Sequence, residues 1–441
     1  MNGSLISISS ATSNAIIRYT LDGSDPNANV NAFIYSASLS FTHPMTLTAR
    51  AYRSDLDPSP ISSVFYGLLD AESNVIVTTF AGGSTSGLSN AVGTYATFSS
   101  PQGVCIDQSG NLYVADTGNN VIRKILPSRG VTTFAGTGVA GSQLGQASNA
   151  QFNGPTGVCV DETGNVYVAD ANNNRICKID TNNIVTTLAN IIYLSQLEID
   201  AGGNVYVGSW ASVQKVFPDG SFIQVAGTGV NTINNWGAYV GLGIDAATNI
   251  YATTLSRIWE TTPDGTTALF AGSGAGFSDG PRMLSLFQSP LDASVDSSTN
   301  VFISDATRIR KIRPDGWVST IAGTGVPGYQ NGFGSLAQFN GAVGLCVDMN
   351  SNIYVADSGN NCIREISTVT APPSLQITTS TNQIILSWPI WAGDFVLEAA
   401  SALSTNSTWI PMTNGVTASV NNFVLTNNIG TASSFYRLYK P

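Results

Sequence analysis

The 441 residues suffice for two or three domains, and they carry a formal net charge of −10 from 18 Lys and Arg against 28 Asp and Glu. Because phosphate binding needs clustered Lys and Arg, this balance excludes a nucleic-acid partner. Charged residues make up 10% of the chain, whereas Gly alone contributes 44 residues. That composition favours turns and β-strands over solvated helices, and it predicts an all-β protein that is secreted or held at the cell surface.

No stretch of about 20 apolar residues occurs, so the sequence contains no candidate membrane-spanning helix. The N terminus lacks a basic stretch followed by an apolar one, and we therefore expect any signal peptide to have been removed. The cysteines form no CxxC pair, which argues against a zinc knuckle, a haem attachment or a disulfide framework. They are Cys105, Cys159, Cys177, Cys346 and Cys362.

Residues 1–69 alternate apolar and polar positions around the turn sequence LDGSDPN at 21–27. The stretch IRYTLDGSDP resembles the β-sandwich at the C terminus of chitobiase and hexosaminidase enzymes. That resemblance implies an Ig-like fold and an accessory role in carbohydrate or surface contact. The usual first strand of that family is not evident ahead of Ser4. We expect either a trimmed sandwich, which is the simpler explanation, or an open edge that accepts a strand from another chain.

The segment from 98 to 368 repeats itself. Its clearest copies are PQGVCIDQSGNLYVADTGNNVIRKI, PTGVCVDETGNVYVADANNNRICKI and AVGLCVDMNSNIYVADSGNNCIREI, with three weaker copies between the second and the last. An anchor aspartate recurs every 39 to 54 residues, a spacing that fits four short strands and their loops. The anchors are Asp107, Asp161, Asp200, Asp245, Asp296 and Asp348.

These copies, together with the VTTFAG strand that follows them, resemble the NHL repeat of bacterial extracellular proteins. The resemblance implies a six-bladed β-propeller over residues 70–368. The sixth copy ends at Ile366 without its own VTTFAG strand, whereas NVIVTTFAGG at 74–83 precedes the first copy. We therefore predict that this N-terminal strand completes the last blade and closes the ring.

A double proline at 372–373 marks a linker to the last segment. The strands after it, SLQITTSTNQIILSW and the terminal FYRLYKP, predict a second small sandwich over residues 369–441. Its LSWP and FYRL ends are similar to the C-terminal modules of secreted bacterial proteins, which implies attachment or export. The whole chain is thus interpreted as a six-bladed β-propeller flanked by two small Ig-like β-sandwich domains.

A residue present in every copy is interpreted as part of the fold, so we assign the anchor aspartates to turns. The aspartates that end the VAD strands receive the same interpretation: Asp116, Asp170, Asp305 and Asp357. Function is expected where the repeat breaks. In the third copy Glu198 replaces a small residue two positions before the anchor, and YVGSW replaces YVAD, which adds Ser209 and Trp210. This carboxylate and aromatic suit a cation or a sugar, although a solvated channel residue or an ion pair is the simpler interpretation.

The loops that join one copy to the next are long and Gly-rich, and we predict that they form a binding face. Their glycine strings lack GK[ST] and no helix follows them, so nucleotide binding is not expected. The candidate contact residues on these loops are Trp236, Tyr239, Phe277, Asp279, Arg282, Tyr329 and Phe333.

The single histidine, His43, lies outside the repeat. Some NHL propellers that resemble this ring act as amidating lyases with zinc held by several histidines. Because the repeats here contain no histidine, that chemistry is excluded. We predict a non-catalytic extracellular or cell-surface protein that contacts protein or glycan at its loop face, needs no cofactor, and self-assembles through its terminal β-domains, as in a surface filament. The alternative is a carbohydrate-active or calcium-dependent lyase or hydrolase that uses Glu198 and Trp210 in the propeller channel.

Overall fold

The computed structural model describes residues 75–209, 212–227 and 241–368 without a gap. Nearer the ends it describes shorter stretches, namely 8, 10, 12–20, 25–27, 32–36, 45–55, 58–59, 62–66, 375–380, 383–389, 396–400, 410–412, 415–418, 422–428 and 435–439. The regular structure in these residues is strand, apart from three-residue 3-10 turns, so the all-β prediction is confirmed. No helix in this part of the chain is long and apolar enough to cross a bilayer.

The chain divides after Ser73 into two compact units. In the first unit, four strands form an antiparallel sheet in the order β2-β1-β3-β4. They are β1 (Ile16–Thr20), β2 (Phe33–Ile34), β3 (Met45–Tyr52) and β4 (Ser62–Tyr66). Tyr19, Leu47 and Ala49 form a small core on this sheet. Residues 1–7, on which the open-edge hypothesis depends, lie outside the described residues.

The described part of residues 75–368 forms six antiparallel sheets, which we number 1 to 6 in chain order. Sheets 1 to 3 contain β6 (Val104–Ile106), β7 (Leu112–Asp116), β8 (Val121–Ile125) and β9 (Val131–Ala135); then β11 (Pro155–Val160), β12 (Val166–Asp170), β13 (Arg175–Ile179) and β14 (Ile184–Asn190); then β15 (Leu197–Ile199), β16 (Val205–Ser209), β17 (Ser212–Val216) and β18 (Phe222–Gly227). Within each of these sheets, the strand order follows the chain.

Sheets 4 to 6 repeat the same plan. They contain β19 (Gly241–Ile244), β20 (Ile250–Thr254), β21 (Arg257–Thr261) and β22 (Thr267–Ala271); then β26 (Pro290–Val295), β27 (Val301–Asp305), β28 (Arg308–Ile312) and β29 (Trp317–Ala322); then β31 (Ala342–Val347), β32 (Ile353–Asp357), β33 (Cys362–Thr368) and β5 (Val75–Gly82). Short strands lie in the loops between sheets: β10 (Gly145–Gln146), β23 (Gly274–Ala275), β24 (Gly280–Pro281), β25 (Leu286–Phe287) and β30 (Gly332–Phe333).

The first strands of the six sheets contact one another in succession, and β31 of sheet 6 contacts β6 of sheet 1. The outermost strand of sheet 6 is β5, which pairs antiparallel with β33 over Val75–Gly82. The prediction that the strand ahead of the first repeat completes the last one is therefore confirmed. This pairing covers the edge that sheet 6 would otherwise expose.

Apolar side chains from neighbouring sheets share cores. One core joins Val114 of sheet 1 with Ala356 and Ile363 of sheet 6, and others form in the same way around the ring. Four of the loops between sheets each insert one fully buried phenylalanine, namely Phe98, Phe152, Phe287 and Phe339. Burial of each of these rings stabilises the fold by roughly 1.5–3 kcal/mol.

The anchor aspartates close the turns between the first two strands of each sheet, as predicted. Asp107 accepts the backbone N–H groups of Ser109 and Asn111 at 2.9 and 2.8 Å. The aspartates that end the second strands are also structural, but they act through buried ion pairs and not through turns. Asp116, for example, accepts Nη1 of the fully buried Arg123 at 3.1 Å.

The chain after the repeats forms two further sheets. Their strands are β34 (Gln376–Ser380), β35 (Gln383–Pro389), β39 (Asn422–Asn428) and β38 (Val416–Ala418), and then β37 (Ile410–Pro411), β36 (Val396–Ala400) and β40 (Phe435–Tyr439). Leu386, Trp388 and Leu425 from the first sheet share a core with Leu397 from the second. Two sheets around one core are the arrangement of a small sandwich.

Candidate functional site

The channel site is built from the first strands of the six sheets. Two positions before each anchor aspartate stand Cys105, Cys159, Glu198, Gly243, Ser294 and Cys346. Burial raises the pKa of the three cysteine thiols well above the usual value, and the nearby Glu198 carboxyl raises it further for each. Because the first strands of the six sheets contact one another in succession around the ring, these positions surround a common axis.

A second carboxyl of the channel, Asp292, was missed by the sequence analysis. It lies on β26 and accepts the backbone N–H groups of Leu242 at 3.2 Å and Leu345 at 3.1 Å, on the first strands of the two neighbouring sheets. Asp292 thus ties three sheets together at the channel.

The signal that would have found Asp292 is a second break in the repeat. Four positions before the anchor, four copies carry glycine, namely Gly103, Gly157, Gly241 and Gly344. Glycine is needed there because the neighbouring first strand lies very close; a Cβ at Gly157 would be 2.7 Å from the Ser195 carbonyl oxygen. The two copies that depart from glycine carry Gln196 and Asp292, in the sheets that hold the two channel carboxyls.

The two carboxyls are held in their neutral form. Burial and, second to it, the nearby Asp292 together raise the pKa of Glu198 to about 8. Burial also raises the pKa of Asp292 to about 8, against the backbone N–H groups that lower it. At neutral pH this carboxyl pair is therefore largely protonated, and it can donate as well as accept hydrogen bonds.

The cysteines offer neither a nucleophile nor a disulfide. All five are free, and burial raises the pKa of Cys177 and Cys362 as well as that of the channel thiols. A protonated thiol is a weak nucleophile and a poor metal ligand. Among the residues that the structure describes, no three His, Cys, Asp or Glu side chains converge on a metal position.

Of the two other residues predicted for the third repeat, the structure describes Ser209. The Ser209 side chain is buried and its Oγ lies 2.8 Å from Oγ of Ser212. Trp210 lies outside the described residues, and so do Trp236 and Tyr239 of the loop that follows this sheet.

On the loop face, Phe277 and Tyr329 stand at equivalent positions of two loops and are held in place by arginines. The Arg308 guanidinium lies 3.8 Å from the Phe277 ring centroid, and that of Arg364 lies 5.2 Å from the Tyr329 ring. The Tyr329 hydroxyl is also 2.9 Å from Oγ1 of Thr79. Phe277 remains 45% exposed and Tyr329 42% exposed, so both rings are ordered and accessible.

Asp279 and Arg282 of these loops contact residues of sheets 5 and 4. Asp279 accepts Nη2 of the buried Arg310 at 2.8 Å, and the Arg282 guanidinium lies 4.7 Å over the Phe270 ring. The prediction that Phe333 is exposed was wrong, since only 7% of it is accessible. Phe333 belongs to the short strand β30, which pairs with β5. The sequence analysis had assigned this glycine-rich segment to a loop.

At the ends of the first strands away from these loops, a cleft of about 680 Å³ lies between sheets 6 and 1, with Arg129, Tyr354 and Glu365 in its lining. Nη2 of Arg129 lies 3.3 Å from Glu365, whose pKa is raised by burial and lowered by Arg129. Arg129 has a left-handed backbone, with φ of 66°. The corresponding turn positions carry Asn183, Gly220, Gly265 and Gly316, so an arginine there is a sequence signal that the repeat comparison passed over.

Comparison with known proteins assigns the repeats. Three segments, 98–125, 152–179 and 339–366, match the NHL repeat family. The chain carries NHL repeats. Together with the ring of sheets, they make residues 75–368 an NHL β-propeller. Residues 6–66 match the Fn3-associated family, and the resemblance of this region to the chitobiase sandwich stays a prediction.

Relatives of the NHL propeller are longer proteins. NHL repeat-containing protein 2 of Bos taurus is 32% identical over 180 residues, which are 37% of this chain and 24% of that protein. The chloroplastic protein Suppressor of quenching 1 of Arabidopsis thaliana is 38% identical over 97 residues, which are 22% of this chain and 9% of that protein. The chain spans less than a quarter of the length of these curated relatives.

Two of the solved structures with a similar fold come from Bacteroides. A Bacteroides thetaiotaomicron protein of unknown function has a TM-score of 0.56 at 18% identity, over 80% of this chain and 90% of that one. An auxiliary nutrient binding protein of the same species has a TM-score of 0.54 at 16% identity, with the same coverage. At these identities the likeness shows the fold alone.

Proposed function

We propose that this protein is a non-catalytic binding protein of the extracellular space or cell surface. Its six-bladed propeller, residues 70–368, presents the loops between sheets to a glycan or a protein, and the β-sandwich domains at 1–69 and 369–441 serve attachment and assembly. The observation that carries the proposal is the pair of exposed aromatic rings, Phe277 and Tyr329, each fixed on a buried or half-buried arginine.

Rings of this kind suit binding because they lose little conformational freedom when a partner covers them. Exposed apolar side chains on the same set of loops extend the surface, namely Leu88, Val139 and Val326. A rigid propeller with variable loops is also a scaffold on which binding sites commonly form. The similar fold of an auxiliary nutrient binding protein agrees with a binding role.

The test compares binding to an oligosaccharide array and to surface proteins captured by crosslinking. We expect Phe277→Ala and Tyr329→Ala each to weaken binding about tenfold or more, as for a central aromatic contact. Tyr329→Phe keeps the ring and should bind like the wild type. Met349→Ala, an exposed residue of the cleft away from the loops, is the matched control. Unchanged binding in both alanine variants would contradict the proposal.

A second candidate function is acid–base chemistry in the channel, favoured by the neutral pair Glu198 and Asp292. A carboxylic acid with a pKa near 8 is suited to protonate a leaving group at neutral pH. The check is incubation with a panel of polysaccharides and lactones. This function requires turnover by the wild type that falls at least a hundredfold in Glu198→Gln; no turnover by the wild type excludes it for those substrates.

A further inference from the structure

The cleft between sheets 6 and 1 lies where the repeat departs from its own pattern at two positions. The first departure is in the third strands. In four sheets a lysine of the third strand places its Nζ 5.1 to 5.9 Å from the ring centroid of the aromatic residue that pairs with it on the second strand. These lysines are Lys124, Lys178, Lys215 and Lys311. Sheets 4 and 6 carry Glu260 and Glu365 instead, and Glu365 pairs with Tyr354.

The second departure is Arg129, in the turn that joins the third and fourth strands of sheet 1. Its backbone φ of 66° lies in the left-handed region, where sheets 2 to 5 carry asparagine or glycine at the corresponding turn position. A long side chain in that region strains the backbone, and such strain is concentrated at functional sites. The Arg129 guanidinium reaches across to sheet 6, where it lies 5.1 Å from the centroid of the Phe80 ring and 3.3 Å from Glu365. Departures from two different sheets therefore meet in one cleft.

The pair formed by Arg129 and Glu365 leaves hydrogen-bonding groups for a ligand. Nη2 of Arg129 and Oγ1 of Thr78 both contact the same oxygen of Glu365, Oε2, at 3.3 and 3.4 Å. Within the described residues, Oε1 of Glu365 and the Nε and Nη1 groups of Arg129 have no hydrogen-bond partner. The cleft therefore offers an acceptor beside several donors.

The Tyr354 hydroxyl adds a group that can both donate and accept. In sheets 2, 3 and 4 the corresponding tyrosines donate to the anchor aspartate at 3.1 to 3.2 Å. In sheet 6, by contrast, no group in the described part of the chain binds the Tyr354 hydroxyl, although the anchor Asp348 is present. This oxygen is not fully buried, and Tyr354 lines the cleft. The hydroxyl is therefore available to a ligand there.

The charges of the cleft are already matched within the protein. Asp107 and Asp348 each accept two backbone N–H groups and an asparagine amide from their own turns. Glu365 is paired with Arg129. An ionic ligand would compete with these bonds, whereas a hydroxyl group can both donate to Glu365 and accept from Arg129. The chemistry of the cleft therefore favours a neutral ligand with several hydroxyl groups.

We propose that the cleft between sheets 6 and 1 binds a neutral mono- or disaccharide. Hydroxyl groups of the sugar donate to Glu365 and accept from Arg129 and Tyr354, and the half-buried side chains of Ile106 and Val347 offer apolar contact for its C–H groups. The volume of about 680 Å³ lies within the range of roughly 300–1,000 Å³ that is usual for small-molecule sites. This site lies away from the loop face proposed to bind a glycan or a protein, and it does not depend on that proposal.

The test is isothermal titration of the full chain with glucose, galactose, mannose, xylose, N-acetylglucosamine, lactose, maltose and cellobiose. We expect at least one of these sugars to bind with a Kd below about 10 mM. The repeat itself supplies matched variants, because Arg129→Gly introduces the residue of sheets 3 to 5 and Tyr354→Phe the residue that sheet 5 carries as Phe302. Arg129→Gly should weaken binding about tenfold or more, and Tyr354→Phe about three- to tenfold. Both variants should fold, since other sheets fold with these residues.

The control is Met349→Ala, which shortens a side chain of the cleft that is 84% exposed and should bind sugar like the wild type. The proposal is overturned if no sugar of the panel binds the wild type, or if Arg129→Gly or Tyr354→Phe binds as well as the wild type does. A loss confined to Phe277→Ala would place the sugar on the loop face and also overturn it. Titration with putrescine and with inorganic phosphate tests the ligand class: binding of either one in place of the sugars shows that the class is wrong.

Discussion

At the level of single residues, the channel carboxyls make the fold sensitive to pH. Glu198 keeps its proton in the folded protein up to about pH 8, whereas in the unfolded chain it loses the proton near its ordinary pKa. The folded state therefore binds more protons across the interval between these two values. Stability that is fully present below the ordinary pKa is lost as pH rises through the folded value.

Glu198→Gln is expected to flatten this pH dependence. Between about pH 5 and pH 8, thermal stability of the wild type should fall, with each such carboxyl contributing at most about 1.4 kcal/mol per pH unit. The amide cannot ionise, so the variant should lose less stability over the same interval. The measurement is the melting temperature at a series of pH values, with Glu162→Gln, an exposed turn residue, as control. If the melting temperature fell equally with pH in the wild type and in Glu198→Gln, the raised pKa of Glu198 would not be the cause of the pH dependence.

Single residues also show where sequence interpretation reached its limit. Glu198 was predicted because it breaks a column of small residues, and Asp292 was missed because its column, occupied mainly by glycine, was not compared. Asp279 and Tyr329 are both exposed residues of these loops, and each contacts a buried arginine, Arg310 for the first and Arg364 for the second. Loop composition could not predict these contacts, because each arginine comes from a distant strand.

At the level of elements, buried arginines join the preceding loop to the sheet in sheets 1, 2, 5 and 6. Arg364 lies between the rings of Tyr329 and Phe339, at 5.2 and 5.1 Å. It donates to Asp357 at 2.7 Å and to the side chain of Asn331 at 2.8 Å. One side chain therefore fixes the end of β32 and the loop that carries an exposed aromatic ring. Arg123 and Arg310 repeat the arrangement in sheets 1 and 5.

Arg364→Met is expected to destabilise the protein by about 3–5 kcal/mol, because it leaves the Asp357 carboxylate buried without its partner. The double variant Arg364→Met/Asp357→Asn removes that charge and should recover part of the loss. Urea denaturation measures both. The control is Arg53→Met, which breaks an exposed pair with Asp55 and should cost no more than about 1 kcal/mol. If Arg364→Met lowered the free energy of unfolding as little as the control does, the proposed stabilising role of the Arg364–Asp357 pair would be refuted.

The four main strands of each repeat were predictable from the sequence, whereas the short loop strands that pair with the outermost strands were not. Strands such as NLYVAD carry alternation and turn signals that recur in each copy, so their positions followed from the sequence. These short loop strands are two residues long and have no period of their own. They form because a neighbouring edge offers unpaired backbone groups, which is information from the tertiary structure.

At the level of the whole molecule, closure of the ring was predicted from two observations. The last repeat lacks its fourth strand, and an additional strand of the same sequence type precedes the first repeat. The pairing of β5 with β33 agrees with this inference. The division of the remaining chain into flanking sandwiches rests on sequence similarity and on sheets described in part. The surface available to a partner depends on the ring, because the loops between sheets are brought together by it.

The pairing of β5 with β33 also sets the timing of biosynthesis. Thr78 contacts Glu365, which lies 287 residues further along the chain. At translation rates of about 5–20 residues per second, the ribosome releases β5 roughly 15 to 60 seconds before β33 exists. During that interval a strand that is almost wholly buried in the finished ring has no partner. The ring can therefore close only after the last repeat has been synthesised, and we expect it to form more slowly than a fold built from local contacts.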